Sequence, residues 1–219
     1  LDQRFGIPPT LIEFTTLHSR DLSAYNVIIL ANGSPTEPLS PAALPKLKEW
    51  VENGGTLITT GSAYKLTNKA KITDFKTLSQ GKKKEKGEGN THIEYQPYHN
   101  IAKSKSGIEG VIFNCHLDIT SPLGYGYENP NVAIMKNGTT VMDFSQIKGS
   151  SPMQYTKQPY LSGCVSLENI KRISNAPASI VSGCGKGNVI WFADDLNYRS
   201  YWFGGTKIFM NAIYFGQLY

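Results

Sequence analysis

Leu47-Lys48-Glu49-Trp50-Val51-Glu52-Asn53-Gly54-Gly55-Thr56-Leu57-Ile58-Thr59-Thr60-Gly61-Ser62-Ala63 runs from the end of a helix through a strand into a sharp turn. Leu44, Leu47, Trp50 and Val51 recur at the three-and-four spacing of one buried helical stripe. Ser40 before Pro41 predicts the helix start, and Asn53-Gly54-Gly55 its stop. Upstream, Asn26-Val27-Ile28-Ile29-Leu30 is a short, continuously apolar run closed by Asn32-Gly33-Ser34-Pro35, as expected of a parallel strand covered on both faces. Thr10-Leu11-Ile12-Glu13-Phe14 reads as a further strand. Leu1 to Phe5 reads as a last helical turn stopped by Gly6, which predicts a preceding strand upstream of Leu1. Strands and helices therefore alternate with short connections, the signature of an open, mostly parallel α/β sheet. In such sheets ligands gather at the carboxyl ends of the strands. Those ends are Asn32 to Ser34, Gly61 to Tyr64, and Asp194-Asp195 after the strand Asn188 to Ala193.

The 219 residues suit one domain, 1–219, with a single core. No apolar run reaches the roughly 18–20 residues of a membrane-spanning helix. The net charge of +5 has a local origin, since Lys65 to Lys105 holds ten of the 22 basic and four of the 17 acidic residues. That leaves 12 basic against 13 acidic residues elsewhere, a nearly neutral body with no specific nucleic-acid partner. The lysine-rich stretch reads as a surface insertion over about 65–107. Beyond it the chain turns β-rich, with strands expected at Gly110 to His116, Asn131 to Met135, Thr139 to Phe144 and Ser179 to Val181. Asn137-Gly138 predicts a tight hairpin turn, and Gly183-Cys184-Gly185-Lys186-Gly187 a second hairpin rather than a phosphate loop. A last helix is expected from Arg199 or Thr206 through Phe215. Cys115, Cys164 and Cys184 cannot all pair and match no zinc spacing; Cys115 reads as a buried hydrophobe.

Three constellations could carry chemistry. Thr59-Thr60-Gly61-Ser62-Ala63 lies where a nucleophile elbow would lie, with Ser62 as the candidate nucleophile, although a plain strand-to-helix turn is the expected reading. Asp194-Asp195-Leu196-Asn197-Tyr198-Arg199 places two carboxylates, an amide and a guanidinium just past a buried strand. The acids could bind a cation or do acid/base work. Alternatively one caps the next helix and the other pairs with Arg199. Tyr198, Tyr201, Trp202 and Phe203 could stack on a sugar, or be core or an interface. His92-Ile93-Glu94 and His116-Leu117-Asp118 match no metal spacing. The catalytic candidates are thus Ser62, Asp194 and Asp195. The ligand-binding candidates are Gly33, Ser34, Gly61, Ser62, Asp194, Asp195, Asn197, Arg199, Tyr201 and Trp202; no metal ligand is expected.

Leu1 to Pro8, Leu47 to Ile58, Leu117-Asp118-Ile119-Thr120-Ser121-Pro122-Leu123-Gly124-Tyr125-Gly126-Tyr127 and Phe192-Ala193-Asp194-Asp195-Leu196-Asn197-Tyr198-Arg199-Ser200-Tyr201-Trp202-Phe203-Gly204 together resemble the C-terminal region of secreted bacterial zinc carboxypeptidase-like proteins. That region is similar to the class I glutamine amidotransferase-like fold. The resemblance implies a three-layer, flavodoxin-like sheet, a secreted or periplasmic setting, and an upstream peptidase domain that would hold the zinc. No cofactor is expected within these residues. Amidotransferases carry a catalytic cysteine at the elbow, where this chain has Gly61-Ser62-Ala63, and no histidine here has a glutamate three residues on. The implied role is a non-catalytic accessory domain, ligand-binding or interdomain. The alternatives are a serine or acid/base hydrolase of the same fold and a glycan- or peptide-binding module.

Overall fold

A computed structural model describes residues 1–33, 41–78, 107–143, 149–200 and 202–219. Its main sheet holds four strands in the order β1 (Val27–Leu30), β2 (Thr56–Thr60), β7 (Gly187–Phe192), β6 (Ser179–Cys184). The first three run parallel and β6 is antiparallel to β7, so the mostly parallel α/β sheet expected from the sequence is present. Every residue of β2 is buried, the consequence of lying between two neighbours with a helix over each face. Leu47 and Val51 of α2 (Ala43–Glu52) pack with Leu57 and Val189 on one face. Ile208 and Ala212 of α5 (Thr206–Phe215) pack with Ile58 and Ile190 on the other, which completes three layers.

The second half builds a three-stranded antiparallel sheet in the order β4 (Asn131–Lys136), β3 (Val111–Leu117), β5 (Met153–Ser162). Its inward residues Phe113, Cys115, Ile134 and Tyr155 join the same core as Ile190 and Phe192. The two sheets therefore share one apolar interior, and any polar group at their junction is cut off from water. The pairing of β3 with β5 shifts between Phe113↔Tyr160 and Cys115↔Tyr155, a bulge that accommodates Pro159.

Several sequence expectations hold. The stripe on α2, the stop at Asn53, the strands Val27–Leu30 and Thr56–Thr60, and the start of the last helix at Thr206 are all present. So is the left-handed Gly6 (φ 64°) that ends α1 (Asp2–Phe5). The glycine-rich segment is a hairpin, with Cys184 opposite Gly187 and Gly185 at φ 63° in the two-residue turn.

Others are corrected. Thr10 to Ile12 is irregular and Phe14–Ser19 is a 3-10 turn, because Leu17 is drawn into the core against α2 instead of extending an edge. The α2 helix begins at Ala43 with Ala42 as its cap, after Pro41; Ser40 lies outside the described residues. Asn137-Gly138 does not turn a hairpin. Gly138 N donates to Ile108 O at 2.8 Å, and the chain continues to a single bridge between Met142 and Thr77, so residues 139–143 of the expected strand form none, while Phe144 lies outside the described residues. Within the stretch assigned to the insertion, α3 (Tyr64–Lys69) and buried Ile72 and Phe75 belong to the folded body. Residues 79–106 lie outside the described residues. Two unexpected elements complete the fold, β5 and α4 (Leu167–Ile173), whose cap Ser166 accepts from Asn169 N. Among the described residues no helix is long and apolar enough to cross a membrane.

Candidate functional site

Because β2 and β7 pair in register up to Thr60↔Phe192, the chain leaves both at one carboxyl edge of the sheet. The turn after β2 is held from two sides. Asn32, just past β1, accepts through Oδ1 from Ser62 N at 2.9 Å and from Ser62 Oγ at 3.0 Å. The indole of buried Trp191 donates to Gly61 O at 2.9 Å. Gly61 itself sits at φ +52°, and a Cβ there would meet the Asn32 carboxamide at 2.5 Å. The turn thus needs glycine for both its backbone angle and its clearance. Gly61→Ala is expected to destabilise the fold by about 1–3 kcal/mol, read as a lower urea midpoint; an unchanged midpoint would count against this account.

The geometry bears directly on Ser62. Its hydroxyl donates to an amide oxygen, which has no basicity at neutral pH and cannot act as a general base. His18 and His116 are exposed, while His92 and His99 lie outside the described residues. Gly33 is exposed beside Asn32; Ser34 and Tyr201 also lie outside the described residues.

Asp194 emerges from β7 into the junction of the two sheets rather than toward solvent. Its Oδ1 accepts from Lys136 Nζ at 3.0 Å, both side chains being 1% exposed, and its Oδ2 accepts a short bond from Tyr155 OH. Lys136 Nζ also lies 3.3 Å from Tyr155 OH. Lys136 ends β4 and Tyr155 lies on β5, opposite Cys115 of β3, so one carboxylate ties the parallel sheet to both outer strands of the antiparallel one. Burial, and then the charge of Asp194, push the Tyr155 phenol and the Cys115 thiol well above their ordinary ranges, keeping both neutral.

Asp195 and Asp194 do not act as a pair. Asp195 is exposed, and its Oδ1 accepts from Asn197 N at 3.2 Å, a turn cap. Arg199 is exposed in the left-handed region (φ 48°), with its guanidinium 5.3 Å over the Tyr198 ring rather than on either aspartate. Of the capping alternative, Asp195 caps the turn that follows, whereas Asp194 is tied internally to Lys136 and Tyr155 rather than to Arg199. Asn197 Oδ1 is buried without a hydrogen-bond partner.

Of the aromatic run, Trp202 and Phe203 line a groove, and Tyr201 lies outside the described residues. Trp202, Phe203 and Gly204 line a groove of about 600 Å³ with Tyr127, Val132 and Ala133. Trp202 Nε1 donates to Ala133 O at 3.2 Å, which fixes the indole against β4, while Phe203 is 60% exposed and carries the Arg4 guanidinium 3.8 Å over its ring. Lys207 Nζ stands 4.8 Å over Tyr127. The groove is apolar with cations at its rim, a surface suited to stacking.

His116 and Asp118 do not form a site. His116 is exposed on β3, whereas Asp118 Oδ1 accepts from Thr120 N and Oγ1, bonds that hold its carboxyl below the usual range. Lys136 and Tyr155 escape sequence reading. Lys136 follows an apolar strand and precedes Asn-Gly, where a lysine ordinarily marks a solvated turn; Tyr155 sits in a run that looks too polar for a strand.

No protein family profile matches the sequence, and no curated protein does. Solved structures are similar in fold at low identity. A cytoplasmic protein from Salmonella typhimurium superposes with a TM-score of 0.50 at 16% identity, over 89% of this chain and 72% of that one. A putative ThuA-like protein from Parabacteroides merdae gives 0.49 at 12%, over 85% and 65%. One from Bacteroides uniformis gives 0.47 at 12%, over 92% and 73%.

Proposed function

We propose that this chain is a non-catalytic accessory domain of amidotransferase-like fold, ligand-binding or interdomain in role, within a secreted or periplasmic zinc carboxypeptidase-like protein. The zinc and the peptidase chemistry belong to another part of that polypeptide, and a peptide or glycan is the ligand class. The observation that carries this reading is the bond from Ser62 Oγ to Asn32 Oδ1, which ties the candidate nucleophile to a non-basic amide. Asp194 supports it, since both its oxygens serve the fold. The groove at Trp202 and Phe203 supplies the binding surface.

Two measurements test the reading. The purified chain is expected to show no covalent labelling by a fluorophosphonate probe and no release of ammonia from glutamine; labelling at Ser62, or glutamine hydrolysis, refutes it. On an array of glycans and peptides, Trp202→Ala is expected to abolish retention seen for the wild-type chain while the thermal transition stays cooperative. Equal retention by both would remove the groove from the argument.

A further inference from the structure

Three Asn-Gly pairs occur in the chain: Asn32-Gly33, Asn53-Gly54 and Asn137-Gly138. Where glycine follows asparagine, the missing Cβ leaves the glycine nitrogen room to attack the preceding side-chain carbonyl carbon, the route by which asparagine loses ammonia. The fold treats the three pairs differently. Gly54 N donates to Val51 O at 2.9 Å and Gly138 N to Ile108 O at 2.8 Å, so both nitrogens are committed to backbone bonds that must open before they react. Gly33 is exposed, and its nitrogen makes no hydrogen bond to any described residue.

Asn32 also differs in its carbonyl. Oδ1 accepts from Ser62 N at 2.9 Å and from Ser62 Oγ at 3.0 Å. Two donors converging on one carbonyl oxygen draw electron density from its carbon, and they stand where negative charge collects when a nucleophile adds there, the arrangement of an oxyanion hole. Gly61, at φ +52° and where a Cβ would meet the Asn32 carboxamide at 2.5 Å, allows the turn to come this close. Asn32 Nδ2, the group that leaves, makes no hydrogen bond to any described residue, and the residue is exposed to the water that completes the reaction.

We propose that Asn32 is a self-modification site, converted through a cyclic imide to a carboxylate, with the Ser62 N–H and O–H as oxyanion donors and water as the co-reactant. Solvent base removes the Gly33 amide proton, and the nitrogen bonds to Asn32 Cγ while the charge moves onto Oδ1, between the two Ser62 donors. The Cγ–Nδ2 bond then breaks, Nδ2 takes up a proton and leaves as ammonia, and the charge on Oδ1 returns to a carbonyl. Water opens the imide at either carbonyl, which gives aspartate, or isoaspartate with an added methylene in the main chain. Either product puts a negative charge beside Ser62 at the carboxyl edge of the sheet and lowers the net charge of +5 by one. Ser62 thus acts on its own chain, a use of the elbow-like turn that needs neither a histidine nor a bound substrate.

The test ages the whole chain in mildly alkaline buffer, folded and in urea, and follows the replacement of side-chain NH2 by OH at each Asn-Gly pair by peptide mapping in a mass spectrometer. In the folded chain, position 32 is expected to convert faster than Asn53 and Asn137 by about tenfold or more, because only the latter two await local opening. In urea the three rates are expected to converge, with position 32 no faster there than in the folded chain. Ser62→Ala, checked for a cooperative thermal transition, removes one oxyanion donor and is expected to slow conversion at position 32 by about threefold or more. Asn32→Asp supplies the charge marker on isoelectric focusing and is expected to show no further shift with age. Equal rates at the three sites in the folded chain, or a position 32 that reacts faster in urea, would overturn the proposal. So would a Ser62→Ala rate that is unchanged or higher, since the bonds to Oδ1 would then restrain Asn32 rather than activate it.

Discussion

Asp194→Ala is expected to lower the stability of this chain by about 3–5 kcal/mol, because it strands the Lys136 ammonium in an interior with no other counter-charge among the described residues. For a chain of this size that corresponds to a fall in Tm of roughly 6–20 °C. Lys136→Met should cost a similar amount, leaving the carboxylate unpaired. The more discriminating variant is the triple change Asp194→Leu, Lys136→Met and Tyr155→Phe, which removes all three polar ends while keeping volume. Replacing a buried ion pair by well-packed apolar residues is often neutral or stabilising by about 1–4 kcal/mol, so the triple variant should be at least as stable as wild type. The coupling between Asp194 and Lys136, read from a double-mutant cycle in urea, should then be large and favourable. A single alanine that shifts the transition by less than about 1 kcal/mol would sink this view of the tie. So would a triple variant that unfolds, which would point to a requirement for charge rather than for satisfied partners.

The same residues explain where sequence reading stops. The parallel half was legible because each of its decisions is local: a stripe on α2, a glycine stop, an apolar run too short for a helix. The β6–β7 hairpin was legible for the same reason, its turn chemistry being written in adjacent glycines. What failed depended on partners far away in sequence. Asn137-Gly138 has a hairpin's composition, but Gly138 bonds to Ile108, and the strand that pairs with β4 precedes it. β5 contains Pro159, Gln158 and Lys157, which argue against a strand until the bulge and the exposed outer side of the sheet are known. α4 had a readable cap in Ser166 but spans only Leu167–Ile173, too short for periodicity to speak. In the candidate site, the Asp194-Asp195 pair could be found from its place after a buried strand. Which acid faces inward could not, since that depends on Lys136 and Tyr155 arriving 58 and 39 residues away in the chain.

Alkaline pH should destabilise the protein, and the interior beside Asp194 is the reason. In the unfolded chain the Cys115 thiol and the Tyr155 phenol ionise near their ordinary values of 9.0 and 10.0. In the folded chain both are raised well above these by desolvation first and by the Asp194 carboxylate next, with Lys136 opposing as the smallest of the three causes at Cys115. Above pH 9 the unfolded state therefore binds fewer protons than the folded one, and stability falls as pH rises. Each group contributes about 1.4 kcal/mol per pH unit once its unfolded form is ionised. Stability is thus expected to be flat with respect to these two groups between pH 7 and pH 8.5, and to fall as pH rises through 9 and then 10. Half-buried Tyr127 and Tyr219, raised mainly by desolvation, steepen the fall above pH 10. Urea unfolding at half-unit steps of pH reads the slope, and two variants assign it. Cys115→Ala should remove most of the loss between pH 9 and pH 10, and Tyr155→Phe should remove part of the loss above pH 10. Both lower stability at pH 7, so the slope and not the midpoint is the test. A slope unchanged by either variant would mean that the alkaline transition is driven from elsewhere in the chain, and that the neutral thiol and phenol beside Asp194 are not what limits it.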